Sequence, residues 1–600
     1  MTYFGKKLDH FYRRLGDRGF MLVLFAAGLT FHIILVARMN VPSVYPDEFG
    51  TAARSAYFSG FNASRFFVNE SVSAWLTAAL YTPFYYLFKE PALRYRCMLV
   101  LNGIIAGFIP LLTYKITGSA GLKKAWQKTL CAICTALCVS VFAYTKFIWS
   151  ETLCVFFPFL LLLVFIKSLK VKYKILRGFL SVFTAFLITL SLFADLRLWV
   201  LALVFILTVI YTKSFLYVKS VSFTAFLPAF GVLSVFWLYA AEYLKTVAAG
   251  EGTSGIIASP SFGFGFAGFK TFFAALSGGL YYFTVSTWGI GILGACFCIS
   301  NLLEYKKSKK NHKNKSPEEL IFAAFAFFAL AYNVLMLFAN AFYIAGTGQD
   351  AYLFGRYIDS AVPVMLVFTL CYFFIHGLEL RKVLASVTAQ GAVFVLFFIT
   401  AVPMVTAGEN KTPRVESLQG LSPVRLGFEI DAPFTFQNLL YTVSATFCFS
   451  ALLIVLVCCA KHYRAHIASF CMVLTVLYSG IHTAFIYLPY ETDRAERENK
   501  GAYTVSEYIY NSSDAPPTYV VGAGDEFTHI LRFLNRDAYI GVAGSFEELP
   551  ENCFIVINVS EKNASEAIRI HDFAVILAEA EGLVFAAKGE RAEAYALSQE

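Results

Sequence analysis

The segment Tyr45-Pro46-Asp47-Glu48-Phe49-Gly50 sets two adjacent carboxylates a few residues beyond the first long apolar run of the chain, which extends from about Phe20 to Met39. That run matches the roughly 20 residues a helix needs to cross a bilayer, is too long for a signal-peptide core, and lacks a small-residue cleavage site. Lys6, Lys7, Arg13, Arg14 and Arg18 precede it, and basic flanks stay on the cytoplasmic side. The reading is a first membrane helix with its N-terminus inside, delivering Asp47 and Glu48 to the outer surface. An acid pair there is a candidate proton acceptor and electrostatic clamp for chemistry at a membrane face.

Composition points the same way. Of 600 residues, 58% are hydrophobic and only 15% charged, with a mean hydropathy of +0.62; ordinary soluble domains are roughly 45–50% apolar. This predicts an α-helical polytopic membrane protein whose partners include membrane lipids and no nucleic acid. Most of the 13 cysteines fall inside apolar runs, where they pack as small hydrophobes. Cys131, Cys134 and Cys138 imitate a metal spacing, but with no histidine beside them in an apolar helix they read as packing.

Ser71 to Phe88 is amphipathic and interrupted by Pro83. Were it to span, Lys115, Lys123, Lys124 and Lys128 would fall outside, against the positive-inside rule, so it is placed in the interface, within a first outer loop of residues 40–96. Further spans follow at about 98–115, 129–147, 152–168, 175–193, 197–214, 219–243, 280–301, 319–343, 361–378, 382–403, 437–458 and 467–488, about thirteen in all. The inner connections then collect Lys167, Lys170, Lys172, Lys174, Arg177, Lys213, Lys219, the Lys306–Lys315 run, Arg381, Lys382, Lys461 and Arg464.

This topology makes residues 1–490 the membrane unit and leaves 491–600 outside as a soluble unit. The latter holds 20 Asp plus Glu against 9 Lys plus Arg, a net of −11, which leaves +20 on the remainder of a chain whose total is +9. Strands are expected at 518–522, 538–542, 553–559, 573–577 and 583–587 and helices at 527–534 and 564–570, a small α/β unit. Gly522-Ala523-Gly524 and Gly263-Phe264-Gly265-Phe266-Ala267-Gly268 imitate dinucleotide loops, but neither has the strand, turn and helix context with all three glycines.

The acidic pair in the first outer loop, the interfacial helix, the following Glu90-Pro91-Ala92-Leu93-Arg94-Tyr95-Arg96, the many spans and the outer C-terminal unit together resemble the GT-C membrane glycosyltransferases. The likeness is greatest to bacterial family-39 proteins, which include protein O-mannosyltransferases and the aminoarabinose transferase of lipid A. The resemblance implies an inverting transferase of a bacterial cytoplasmic membrane that takes a sugar from a polyprenyl-phosphate carrier to an extracytoplasmic acceptor. At Val68-Asn69-Glu70-Ser71 the chain departs from the basic residue and prolines usual in that family.

Such a transfer needs a base near the acceptor hydroxyl and cations near the departing lipid phosphate. Asp47 is the candidate base; Glu48 is left to orient the acceptor, hold a metal or share the base role. Interfacial desolvation would raise an acid here unless an arginine opposes it. On the cationic side stand Arg356 and Tyr357, in the stretch Asp350–Asp359 closed by Pro363, for a guanidinium forks onto phosphate and a phenol hydrogen-bonds it. Arg65, Arg94, Arg96 and Arg197 are further candidates, although Asp195 and Arg197 also read as a local ion pair. Glu151, beside Lys146 and Trp149, either lines the same cavity or starts a helix. Loops 244–279 and 406–436 are long enough to cover a site. No cofactor is required by the residues, a divalent metal being compatible with them. A lipid-linked-substrate flippase and a noncatalytic scaffold are the rival readings; charges gathered at span ends without an internal repeat favour the enzyme.

Overall fold

Breaks in the apolar runs decide where the polar residues meet. The computed structural model describes the chain apart from residues 1, 41, 43–45, 62–73, 250–265, 308–315, 348–351, 404–419, 422, 424–435, 460–463, 523–524, 559–573, 581 and 600. Among the described residues ten helices are long and apolar enough to cross a membrane: Arg14–Val36, Pro91–Ser119, Glu151–Lys170, Lys174–Ala194, Leu196–Ser214, Phe223–Leu244, Pro317–Gly346, Ile358–His376, Leu380–Thr400 and Ile467–Arg497. Two helix pairs meet the same test together but are bent, Ala125–Ala136 with Val139–Lys146 at 60° and Gly268–Ser286 with Ile290–Tyr305 at 102°. The protein is therefore a multi-pass membrane protein, with ten such helices among the described residues, or up to twelve crossings if each bent pair is one. The remaining expected span, 437–458, corresponds to a shorter apolar helix, Leu440–Leu456.

The two expected spans at 129–147 and 280–301 are corrected by these bends. At the sharper one, Trp288 and Gly289 both take positive φ, 54° and 77°, which ends a right-handed helix. Backbone groups freed in a membrane must find partners inside the protein. Here the Gln390 amide donates to the Gly289 carbonyl and Thr287 Oγ1 accepts from the Gly291 N–H. A Cβ at Gly289 would lie 2.7 Å from Gln390 Nε2, so conformation and space both demand glycine.

Asp47 and Glu48, expected in a loop, occupy the first turn of the helix Pro46–Phe58. Proline suits a helix start and carboxylates complement its dipole there. Trp75–Leu87 is a helix within the stretch 71–88 that was expected to lie in the interface; its 13 residues reach about 20 Å, short of the roughly 30 Å hydrocarbon core. It turns Trp75, Thr77, Ala78, Tyr81 and Tyr85 inward and exposes Leu80, Tyr86 and Leu87.

The C-terminal unit is a five-stranded mixed sheet of β1 Thr518–Val521, β2 Ile540–Ala543, β3 Cys553–Asn558, β4 Val575–Ala580 and β5 Leu583–Lys588, in the order β2-β1-β3-β5-β4. β1 runs parallel to β2 and β3, with Thr518 opposite Ile540 and Phe554, while β5 is antiparallel to β3 and β4. The helix Asp525–Leu534 agrees with expectation and the helix expected at 564–570 lies outside the described residues. Short helices Lys500–Ser506 and Glu590–Leu597 escaped the periodicity reading because two turns carry little of it. Alternate residues of β3 face opposite ways: Ile555 and Ile557 join a small local core, whereas Phe554 and Val556 join one that continues through Ile530 and Phe533 to Tyr85, Tyr95 and Phe49 of the stretch 40–96.

Candidate active site

Four connections at one end of the bundle bring five charges into a row. Asp47 starts its helix, Glu151 starts Glu151–Lys170, Asp195 and Arg197 form the turn after Lys174–Ala194, and Arg356 precedes the 3-10 turn Ile358–Ser360. Arg356 pairs through Nη1 with Asp47 Oδ2 and through Nε with Glu151 Oε1. Arg197 Nη2 reaches the same Glu151 oxygen at 2.8 Å, and its Nε donates to Asp195 Oδ1 at 2.7 Å. The local pair expected at 195–197 thus exists and is one link of a longer chain of alternating sign.

Aromatic faces carry the cations. The Arg356 guanidinium lies 4.0 Å from the Trp149 ring centroid and that of Arg197 lies 4.1 Å from the Tyr357 ring; Phe147 stacks on Trp149 at 4.5 Å. Planar guanidinium on a ring keeps its edge free to donate. Tyr357, expected as a ligand group, serves here as the platform under Arg197. Behind Arg356, Asp359 Oδ2 accepts from both Tyr144 and Tyr282 hydroxyls, the latter at 2.8 Å, and Tyr282 in turn accepts the Gly420 N–H at 3.0 Å. A Cβ at Gly355 would fall 2.0 Å from the Tyr282 ring. Gly355→Ala is expected to cost about 3 kcal/mol through overpacking, read as a lowered thermal midpoint of the detergent-solubilised protein.

The two adjacent acids have opposite surroundings. Asp47 keeps 53% of its side-chain surface, enough for a ligand to reach it. Glu48 is fully buried, and its Oε1 accepts from the Ile148 N–H at 2.8 Å and the Tyr95 hydroxyl at 3.3 Å. The strip 147–150 between the broken crossing and Glu151 is neither helix nor strand. Its polar backbone is satisfied from outside, by Glu48 at Ile148 N and by the Asn102 amide at the Phe147 carbonyl, 2.8 Å. Glu48 thereby anchors the strip that bears Trp149 and leads into Glu151. Glu48→Ala is expected to destabilise by about 2 kcal/mol, the order of a buried N–H left without its acceptor, measured by denaturant unfolding.

The other cationic candidates lie elsewhere. Arg94 is wholly buried and donates to the carbonyls of Phe533, Phe88 and Lys89; Arg96 donates to Met39 O and the Asn40 side chain. Neither bonds to the charged row: two positions apart in one helical turn, they face about 200° apart, Arg94 toward the C-terminal unit and Arg96 toward the end of the first crossing. Arg65, Asp350, residues 263–265 and 523–524 of the two glycine-rich stretches and most of 406–436 fall outside the described residues; the loop expected at 244–279 is helical at both ends, in Phe223–Ala249 and Phe266–Ser286. Lys146 is buried against the His32 carbonyl, 3.1 Å, not in the row. Among the described residues no group of three or more His, Cys, Asp and Glu is arranged to hold a metal. Sequence reading missed Asp359, Tyr144 and Tyr282; the only signal was a carboxylate one turn beyond Arg356.

Electrostatics follows the exception named for Asp47. Burial alone would raise the carboxyls of Asp47 and Asp195, but the guanidiniums of Arg356 and Arg197 outweigh it and hold both below the usual carboxylate range. The opposing arginine named as an exception is present.

No family model and no curated protein matches the sequence. Solved structures do. ArnT from Cupriavidus metallidurans, a crystal structure bound to undecaprenyl phosphate, superposes with a TM-score of 0.53 at 14% identity, covering 95% of this chain and 98% of that one. The oligosaccharyltransferase AglB from Archaeoglobus fulgidus, in complex with an inhibitory peptide and a dolichol-phosphate, gives a TM-score of 0.40 at 11% identity over 96% of this chain and 75% of that one. With the superposition running through nearly the whole of both chains, this protein has the GT-C-like fold of ArnT.

Proposed function

We propose that the protein is a membrane glycosyltransferase that moves a sugar from a polyprenyl-phosphate carrier to an extracytoplasmic acceptor, inverting, with Asp47 as general base. The observation that carries this reading is the reachable Asp47 carboxylate paired with Arg356, in a charged row at one mouth of a GT-C fold. The acceptor oxygen attacks the anomeric carbon, the bond from that carbon to the phosphate oxygen breaks, and the hydroxyl proton passes to Asp47. The departing lipid phosphate gains negative charge, which Arg356 and Arg197, fixed on Trp149 and Tyr357, are preorganised to meet.

The row itself suggests how an arginine-bound carboxylate becomes a base. Three carboxylates share two guanidiniums, and a phosphate competes with the carboxylates for the same donors. As the donor phosphate takes Arg356, Asp47 loses the partner that depresses it and burial raises its proton affinity. Base strength then appears only with the carrier bound. Glu151, held by both arginines, keeps them spaced. The test is incubation of the purified protein with a panel of polyprenyl-phosphate sugars and mass analysis of the released carrier and product; absence of carrier release from every donor, in protein shown to be folded, removes the proposal.

A further inference from the structure

The C-terminal unit is joined to the first outer loop by more than a linker. Phe533, on the helix Asp525–Leu534, meets Tyr85 and Tyr95 edge to face at centroid distances of 6.3 and 6.2 Å. Its carbonyl accepts from Arg94, whose guanidinium lies 4.6 Å from the Tyr85 ring and 4.9 Å from the Phe533 ring. One turn earlier His529 stacks on Phe49 at 5.8 Å and 20°, and Phe49 is two residues from Asp47. Arg536, just beyond the helix, donates to the carbonyls of Tyr85 and Phe88 and covers Phe61 at 4.8 Å.

Two features set this seam apart from a simple apolar contact. The final carbonyls of Trp75–Leu87 have no partner within their helix; Arg536 donates to that of Tyr85, and Arg536 and Arg94 bond those of Phe88 and Lys89 just beyond it. Directional bonds of this kind fix one orientation where apolar packing alone would permit sliding. The seam also continues into the charged row. Tyr95 touches Phe533 with its ring and donates its hydroxyl to Glu48, Glu48 holds the Ile148 N–H, and the next residue, Trp149, carries Arg356.

We propose that Phe533 and Arg536 are positioning residues for the active site: from the C-terminal unit they lock the Pro46–Phe58 helix and the strip 147–150, and through these the contact of Asp47 with Arg356. This deepens the glycosyl-transfer reading and rests on it for the kinetic readout alone. The C-terminal unit is on this account half of the site's scaffold.

The experiment compares full-length wild type, Phe533→Ala, Phe533→Leu and Arg536→Ala in lipid nanodiscs by amide hydrogen exchange and by transfer kinetics. Phe533→Ala and Arg536→Ala are expected to speed exchange in peptides covering 46–58 and 146–151 by about tenfold while β1 and β3 stay protected, and Phe533→Leu to restore protection. The value of kcat falls about tenfold with little change in KM for the donor, and the acid limb of the pH profile moves up as Asp47 loosens from Arg356, which mere loss of folded protein would not do. Unchanged exchange at 46–58 and 146–151 in both variants overturns the proposal. Should Phe533→Ala also deprotect the sheet, Arg536→Ala decides, since it leaves the unit's own core intact. Faster exchange in a protein whose wild type transfers no sugar leaves the clamp and removes the transferase reading; unchanged exchange in an active enzyme does the reverse.

Discussion

Asp47→Asn is expected to reduce sugar transfer by about a thousandfold, in the range that removal of a positioned general base costs, while the protein still folds and inserts. The amide matches the carboxylate in shape, so it still accepts from Arg356, which also keeps its bond to Glu151. Only the capacity to take a proton is lost. Carrier release measured by mass on the purified variant, alongside thermal unfolding to show that the fold persists, settles the matter; activity equal to wild type would remove Asp47 as base. The contrast with Glu48→Ala is informative, because its neighbour is expected to show the opposite pattern, a loss of stability exceeding the loss of chemistry.

Arg356→Ala is expected to lower kcat/KM for the lipid-phosphate donor by about 10²–10³-fold, the scale on which one preorganised electrostatic partner of a developing anion acts. Acceptor affinity should change little, and a defect confined to the acceptor would contradict the role. The same variant has a pH signature. Burial pushes the Asp47 carboxyl up and Arg356 outweighs it, so in the wild type the group lies below its ordinary value of 3.8. The base works only when ionised, so wild-type activity on the acid side falls only as pH drops through that depressed value. Without Arg356 burial is left with less opposition, the carboxyl rises, and the acid limb of kcat/KM, which reports the free enzyme, moves to higher pH. Arg356→Lys distinguishes charge from geometry: an ammonium retains the charge but cannot fork across Asp47 and Glu151 while lying flat on Trp149, so it is expected to recover only part of the rate.

How far the site was legible varies residue by residue. Asp47, Glu151, Asp195, Arg197 and Arg356 stood out because each is a charge at the end of an apolar run, where a bilayer makes charge conspicuous. That they form one row was not legible, since they are separated by up to 309 positions and their meeting depends on how the crossings pack. Arg94 and Arg96 carried the same signal as Arg356, a basic residue near a span end, and the fold gave them other partners. Glu48 shows the limit most plainly. It differs from Asp47 by one position and one methylene, yet on a helix adjacent residues face about 100° apart, and that rotation leaves one acid exposed beside Arg356 and sets the other against Ile148.

Composition and hydrophobic patterning by themselves determined that the chain crosses a membrane many times, roughly where each crossing lies, and that an acidic unit follows, because the cost of charge and of unpaired backbone in hydrocarbon is read directly from local sequence. Only the tertiary structure decided that two apolar stretches are bent, that Asp47 lies in the first turn of a helix with Arg356 as its partner, and that the helix Asp525–Leu534 of the C-terminal unit packs on that helix. These outcomes rest on contacts between distant segments, such as Gln390 on Gly289 or Phe533 on Tyr95, which no local pattern encodes.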